Sequence, residues 1–140
     1  REASPRVRYV LYERALHELP GSYKLWSMYL AERARRLRLL RVPPRHPLAA
    51  QLLATYERAL VFLHKMPRLW LDYAAALAAQ GHVTRTRLAY DRALRALPVS
   101  QHERVWPAYL AWVRAARCPE TATRVYRRYL RLEPTRVEEY

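Results

Sequence analysis

Residues 56–73 read YERALVFLHKMPRLWLDY, and the spacing within them decides the fold. Tyr56, Ala59, Leu60 and Leu63 stand at i, i+3, i+4 and i+7, the apolar stripe of one helix. Pro67 then ends that run, because proline cannot continue a helix but is tolerated in the first turn of the next. Trp70 and Tyr73, three residues apart, share a face of this second helix. The passage predicts a helix, a tight turn and a helix.

Both halves of the passage recur. Tyr-Glu-Arg-Ala-Leu stands at 12–16 and 56–60, Tyr-Asp-Arg-Ala-Leu at 90–94, and Tyr-Arg-Arg-Tyr-Leu at 126–130. Trp-x-x-Tyr alternates with it, as Trp26 and Tyr29, Trp70 and Tyr73, and Trp106 and Tyr109. The lead tyrosines Tyr12, Tyr56, Tyr90 and Tyr126 lie 44, 34 and 36 residues apart. The stripe continues to Leu19, Leu63 and Leu97 in three copies, but the fourth has Glu133 there and Tyr129 in place of the small alanine. Looser or shifted packing is expected at that copy. Pro20, Pro67, Pro98 and Pro134 follow the four Tyr-led helices, Ser22 and Ser100 are candidate N-caps, and Gly81 is a candidate C-cap.

A period of this length marks a solenoid, in which each helix pair buries its apolar face only by stacking on its neighbours. The expected fold is all-α, an α-α superhelix of antiparallel helix pairs over residues 1–140. A second helix of a preceding repeat falls at 5–19. Full repeats follow at 23–65, 68–97 and 103–132, with the start of another at 136–140. The longer first period is explained by a Pro- and Arg-rich insertion near 37–48, holding Pro43, Pro44 and Pro47. It reads as an extended helix end plus a surface loop, or else as a basic protrusion that touches a partner or RNA. The chain begins at Arg1 and stops at Tyr140 within an incipient helix, so it reads as a fragment, and self-association through uncapped repeat ends is expected.

Composition supports this. The 140 residues include only 2 Gly, too few for the turns of a sandwich or barrel or for a phosphate-cradling loop. The lone cysteine, Cys118, excludes an intrachain disulfide and a Cys-based zinc site, and reads as a bland thiol in a turn. Histidines 17, 46, 64, 82 and 102 have no ligand partner at helical spacing. No nucleophile elbow or His-Glu-x-x-His pair is found. No uncharged apolar run reaches the roughly 18 residues of a membrane span. A binding protein without metal or cofactor is favoured over an enzyme.

The net charge is +14, carried almost entirely by arginine. That permits phosphate neutralisation on RNA and equally an acidic protein partner, because charge alone carries no specificity. Arg33, Arg36, Arg38, Arg41, Arg45, Arg85, Arg87, Arg124 and Arg131 are candidate contacts to a partner or RNA. Four other arginines are different. Arg14, Arg58, Arg92 and Arg128 fill one slot, two residues after each lead tyrosine and about 200° around the helix. A solvated face does not require the same residue four times. The slot predicts a flank packed on the next helix pair, the guanidinium forking onto a carboxylate or helix-end carbonyls. Glu13, Glu57 and Asp91 are the nearest recurrent acids, and Arg127 breaks their pattern. The repeat tryptophans and tyrosines are expected in the core, whereas Trp112 is off the pattern and a candidate exposed anchor.

Trp-x-x-Tyr followed by Tyr-[Glu/Asp]-Arg-Ala-Leu and a closing Pro resembles the half-a-tetratricopeptide (HAT) repeat, and the resemblance covers nearly the whole chain. LPGSYKLW at 19–26, HKMPRLWLDY at 64–73 and DRALRALP at 91–98 are similar to the amino-terminal repeats of a splicing-factor branch of that family, with the Crooked-neck proteins a sister branch. The resemblance implies a non-enzymatic nuclear scaffold of the spliceosome. Its partners would be other spliceosomal proteins, NineTeen-complex subunits among them. The alternative is a Crooked-neck-type splicing scaffold, or another HAT RNA-processing factor that binds RNA directly through its basic surface.

Overall fold

A computed structural model describes residues 4–116 and 119–132. Seven helices account for most of them: α1 (Pro5–Glu18), α2 (Tyr23–Leu40), α3 (Pro47–Leu63), α4 (Pro67–Ala79), α5 (Val83–Ala96), α6 (His102–Ala116) and α7 (Pro119–Leu132). No strand occurs among the described residues. Each helix packs on the next in sequence, and α4 also touches α6. The pairs α2/α3, α4/α5 and α6/α7 follow α1 in one helical stack, a right consequence of short connections between amphipathic helices. Cys118, Glu133 and Pro134 lie outside the described residues.

Helix ends follow local chemistry. Ser22 accepts a bond from the Leu25 amide, capping α2. Pro47 and Pro67 open α3 and α4, and His46 Nδ1 accepts from the Leu48 amide. Gly81 follows α4 with φ +78°, and the His82 amide reaches back to Leu77 O, the left-handed closure that glycine makes without strain. Ser100 does not cap α6. It lies inside a 3-10 turn, Val99–Gln101, that runs directly into that helix. The 37–48 segment is an extended helix end followed by a loop. α2 continues to Leu40, Arg41 turns the chain with φ 50°, and Pro47 already belongs to α3.

One core runs the length of the stack. Trp26, Trp70 and Trp106 are buried within it, as are Tyr29, Tyr73, Tyr109, Tyr56, Tyr90 and Tyr126. Ala59 and Ala93 are buried among them, and the tyrosine in their slot in the fourth copy, Tyr129, is buried against Trp106 at 5.3 Å between ring centres. Several members of the stripe are less buried, Ala15, Leu63 and Leu130 only partly so. Tyr12 is half-buried, on the outer helix of the stack, and Leu19 is 61% exposed because α1 ends at Glu18 and turns it outward. Trp112 is not an open anchor. It is half-buried beside Tyr90 and Tyr109, with ring centres 6.0 and 6.3 Å away.

Candidate functional site

The recurrent arginine and the recurrent acid meet across repeats, never within one. Adjacent residues on a helix do not face each other, so an acid at 57 and an arginine at 58 must find different neighbours. Arg58 of α3 forks onto Glu13 of α1, with Nη1 and Nη2 donating to the two carboxylate oxygens at 2.7 and 2.6 Å. Arg92 of α5 forks in the same way onto Glu57 of α3, at 2.7 and 2.8 Å. Arg128 of α7 reaches Asp91 of α5 by a single bond, Nη1 to Oδ1 at 2.6 Å.

Between each acid and its arginine stands the helix carrying Trp-x-x-Tyr. Its tyrosine donates to the same carboxylate: Tyr29 to Glu13, Tyr73 to Glu57, and Tyr109 to Asp91. Its tryptophan lies under the arginine, with Cζ 5.6, 5.1 and 5.8 Å from Trp26, Trp70 and Trp106. The lead tyrosine of the preceding helix stacks on that tyrosine, with ring centres of Tyr12–Tyr29, Tyr56–Tyr73 and Tyr90–Tyr109 at 5.2, 5.5 and 4.7 Å. Three successive helices are thus locked by one clasp, repeated three times.

The electrostatics follow from this geometry. Hydrogen bonds from Arg58 hold the Glu13 carboxyl below the usual carboxylate range, and those from Arg92 do the same for Glu57. Burial, with the Glu57 carboxylate adding to it, pushes the Tyr73 phenol up to about 12. The ion pairs themselves are partly exposed, so each contributes about 0–1 kcal/mol, and the buried rings supply most of the stability.

Arg14 departs from the expected role. It is exposed and makes no ion pair among the described residues. The indole N–H groups add a contact the sequence does not announce. Trp26 donates to Pro20 O and Trp70 to His64 O, both at 2.8 Å and six residues upstream. Trp106 Nε1 is buried without an acceptor, since the 3-10 turn occupies the corresponding corner.

The candidate contact arginines do not form one row. Arg33 is tied into the α1–α2 junction, donating to Tyr29 and Gln51 and lying 4.3 Å from the Tyr9 ring centre. Arg36 lies near the same ring, at 5.9 Å. Arg85 is exposed, and its charge partly offsets the upward push on the Tyr73 phenol beside the Glu57 clasp. Arg38 and Arg41 edge an Ala-rich groove between α2 and α4, and Arg45 stands exposed in the loop. Arg87 and Arg124 line a cavity at the Asp91 clasp, and Arg131 is exposed in the last turn of α7. No group of three His, Cys, Asp or Glu able to hold a metal occurs among the described residues, and no helix there is long and apolar enough to cross a membrane.

Stacked helix pairs joined by an aromatic and charged clasp define a HAT-type helical-repeat protein, a class built to present surface. Comparison with known proteins narrows the class. Residues 1–135 match the family model described as the Pre-mRNA-splicing factor Syf1/CNRKL1 N-terminal HAT repeat, and the chain belongs to that family. It is 56% identical over 131 residues to the Drosophila melanogaster pre-mRNA-splicing factor syf1 homolog, covering 94% of this chain and 15% of the relative. It is 52% identical over 141 residues to Homo sapiens pre-mRNA-splicing factor SYF1, covering 100% and 16%. It is 41% identical over 137 residues to Schizosaccharomyces pombe pre-mRNA-splicing factor cwf3, covering 95% and 17%. The chain therefore spans 15–17% of the length of these curated relatives.

Proposed function

We propose that the chain is a non-enzymatic scaffold segment that acts in pre-mRNA splicing in the nucleus, holding spliceosomal proteins, NineTeen-complex subunits among them, on its helical-repeat surface. The observation that carries this reading is the repeated clasp. Three cross-helix locks of one kind make one continuous body whose outer side chains keep fixed positions over several repeats, which is what an extended docking surface requires. The relatives' names, all pre-mRNA-splicing factors, supply the process. Affinity purification of the full-length protein from nuclear extract, followed by mass spectrometry, tests it. Recovery of spliceosomal subunits that is lost when residues 1–140 are deleted is expected. Unchanged recovery on deletion removes the proposed role from this segment.

Direct RNA binding is the second reading, favoured by exposed Arg38, Arg41 and Arg45 and by the net charge of +14. It predicts binding to unrelated RNAs that weakens steeply between two salt concentrations. No binding in an anisotropy titration at low salt removes it. Exposed Val7, Val10 and Leu11 on α1, at i, i+3 and i+4, favour self-association of the isolated chain. Light scattering over a wide concentration range tests that, and a constant monomer mass overturns it.

A further inference from the structure

The Asp91 clasp differs from the other two by one methylene, and a cavity of about 330 Å³ opens beside it. We propose that this cavity is an anion-recognition site that takes a carboxylate side chain from an acidic segment of a protein partner. The proposal rests on the scaffold reading above and gives one part of that surface a chemistry.

Three arginines, Arg87 of α5 and Arg124 and Arg128 of α7, line the cavity together with one acid, Asp91. At the glutamate clasps one arginine consumes both carboxylate oxygens. At Asp91 the bonds from Tyr109 and Arg128 both fall on Oδ1, at 3.0 and 2.6 Å. Arg87 and Arg124 have no ion-pair partner among the described residues. The cavity therefore holds two positive charges in excess (three arginines less one aspartate), walled by low-dielectric side chains that strengthen attraction to an anion.

Two further observations point the same way. Val83 and Thr84, the first residues of the 14-residue α5, also line the cavity, and His82 gives that helix no side-chain cap. Its first amides and dipole therefore favour the same sign of ligand. The remaining wall is apolar, with Val113 buried and Trp112 half-buried. A Glu or Asp side chain brings a methylene stem to that wall and a carboxylate to the arginines. A phosphodiester strand needs instead an open row of cations, and the candidate arginines are spread over separate faces, with Arg33 bonded to Tyr29 at the α1–α2 junction.

The test uses the 140-residue chain, an acetylated and amidated Leu-Glu-Leu-Glu-Leu peptide, its Leu-Gln-Leu-Gln-Leu counterpart, and a uridine decanucleotide. NMR of the arginine Nε–H and indole N–H groups follows each titration. Saturable shifts at Arg87, Arg124, Arg128 and Trp112 are expected with the glutamate peptide, and about tenfold weaker binding or less with the glutamine one. The double substitution Arg87→Glu with Arg124→Glu should abolish the response. Asp91→Glu should weaken it about tenfold, because the longer acid lets Arg128 fork as Arg92 does and withdraws it from the cavity. Circular dichroism checks that the variants keep their helices, and the conservative Asp91→Glu carries the test if the double variant unfolds. Equal binding of both peptides, no saturable response at millimolar peptide, or binding unchanged in the variants overturns the site. RNA that displaces the glutamate peptide from these arginines overturns the choice of a protein carboxylate. Failure of the site together with spliceosomal recovery that is lost on deletion of residues 1–140 leaves the scaffold reading standing.

Discussion

The clasps at Glu13 and Glu57 close on both carboxylate oxygens, whereas the clasp at Asp91 closes on one. The same stretch of chain departs in other ways. A 3-10 turn leads into α6, the Trp106 N–H has no acceptor, and Pro107 stands inside the helix, where it removes a backbone bond. Yet the rings of the third clasp are as buried as those of the first two, and Tyr90 and Tyr109 stack more closely than the other pairs. The stack is held by buried aromatic surface, and the polar clasp sets register on top of it. A clasp can loosen without loss of the fold, and a loosened clasp leaves charge free to meet a ligand.

The largest effect should come from the rings. Trp70→Ala is expected to cost about 3–5 kcal/mol in urea unfolding followed by circular dichroism. Trp106→Ala should lie about 1 kcal/mol lower, because no indole hydrogen bond is lost there. Equal losses at the two sites would erase the difference between the regions.

Acid should separate the clasps next. The folded-state carboxyls of Glu13 and Glu57 are depressed by Arg58 and Arg92, so the ionised form is favoured by folding. Their contribution is fully present above the ordinary glutamate value of about 4.3 and is lost as pH falls through the lower folded values. Glu57→Gln should flatten that acid limb of a stability-versus-pH series. At the alkaline end Tyr73 acts with the opposite sign. Its raised value, about 12, favours the protonated phenol in the folded state, so its contribution holds below about pH 10 and disappears as pH rises through 12. Tyr73→Phe should remove that limb.

Helix entry offers a third contrast, at about 1 kcal/mol. Ser22→Ala removes the cap bond to the Leu25 amide and should cost about that much in thermal or urea melting. Ser100→Ala, within the 3-10 turn, should change stability by less than about 0.5 kcal/mol. A cap-sized loss at Ser100 would mean that α6 is entered as α2 is.

The stack was legible in the sequence because its signal is periodic. Trp26, Trp70 and Trp106 repeat with their tyrosines, and three-residue spacing on a helix fixes a shared face whatever the neighbours do. The arginine slot was equally visible, since Arg58, Arg92 and Arg128 hold one place in each copy. Its partner was harder to see. The arginine reaches across 45, 35 and 37 residues to the acid of the previous copy, and a distance of that kind is set by how helices stack rather than by local pattern. Arg33 shows the limit most clearly. Its position suggests a solvated basic face, but two aromatic rings and two polar groups draw it into the α1–α2 junction. The missing acceptor for Trp106 arises from a backbone turn of three residues, which composition does not encode.

The smallest expected effect is the most discriminating. Double-mutant cycles on Arg92 with Glu57 and on Arg128 with Asp91 isolate the pair term from the packing that each side chain also provides. Both pairs are partly exposed, so solvent screening holds each coupling below about 1 kcal/mol. Within that ceiling the two-bond fork at Glu57 should exceed the single bond at Asp91 by about 0.5 kcal/mol, because the fork fixes orientation with a second charge-assisted contact. Asp91 is the more buried of the two acids, at 15% side-chain exposure against 38% for Glu57, and reduced screening works in its favour. A stronger coupling at Asp91 would therefore show that burial outweighs the number of bonds. Arg128 would then be held too firmly to serve a ligand, and the contrast between the clasps would invert.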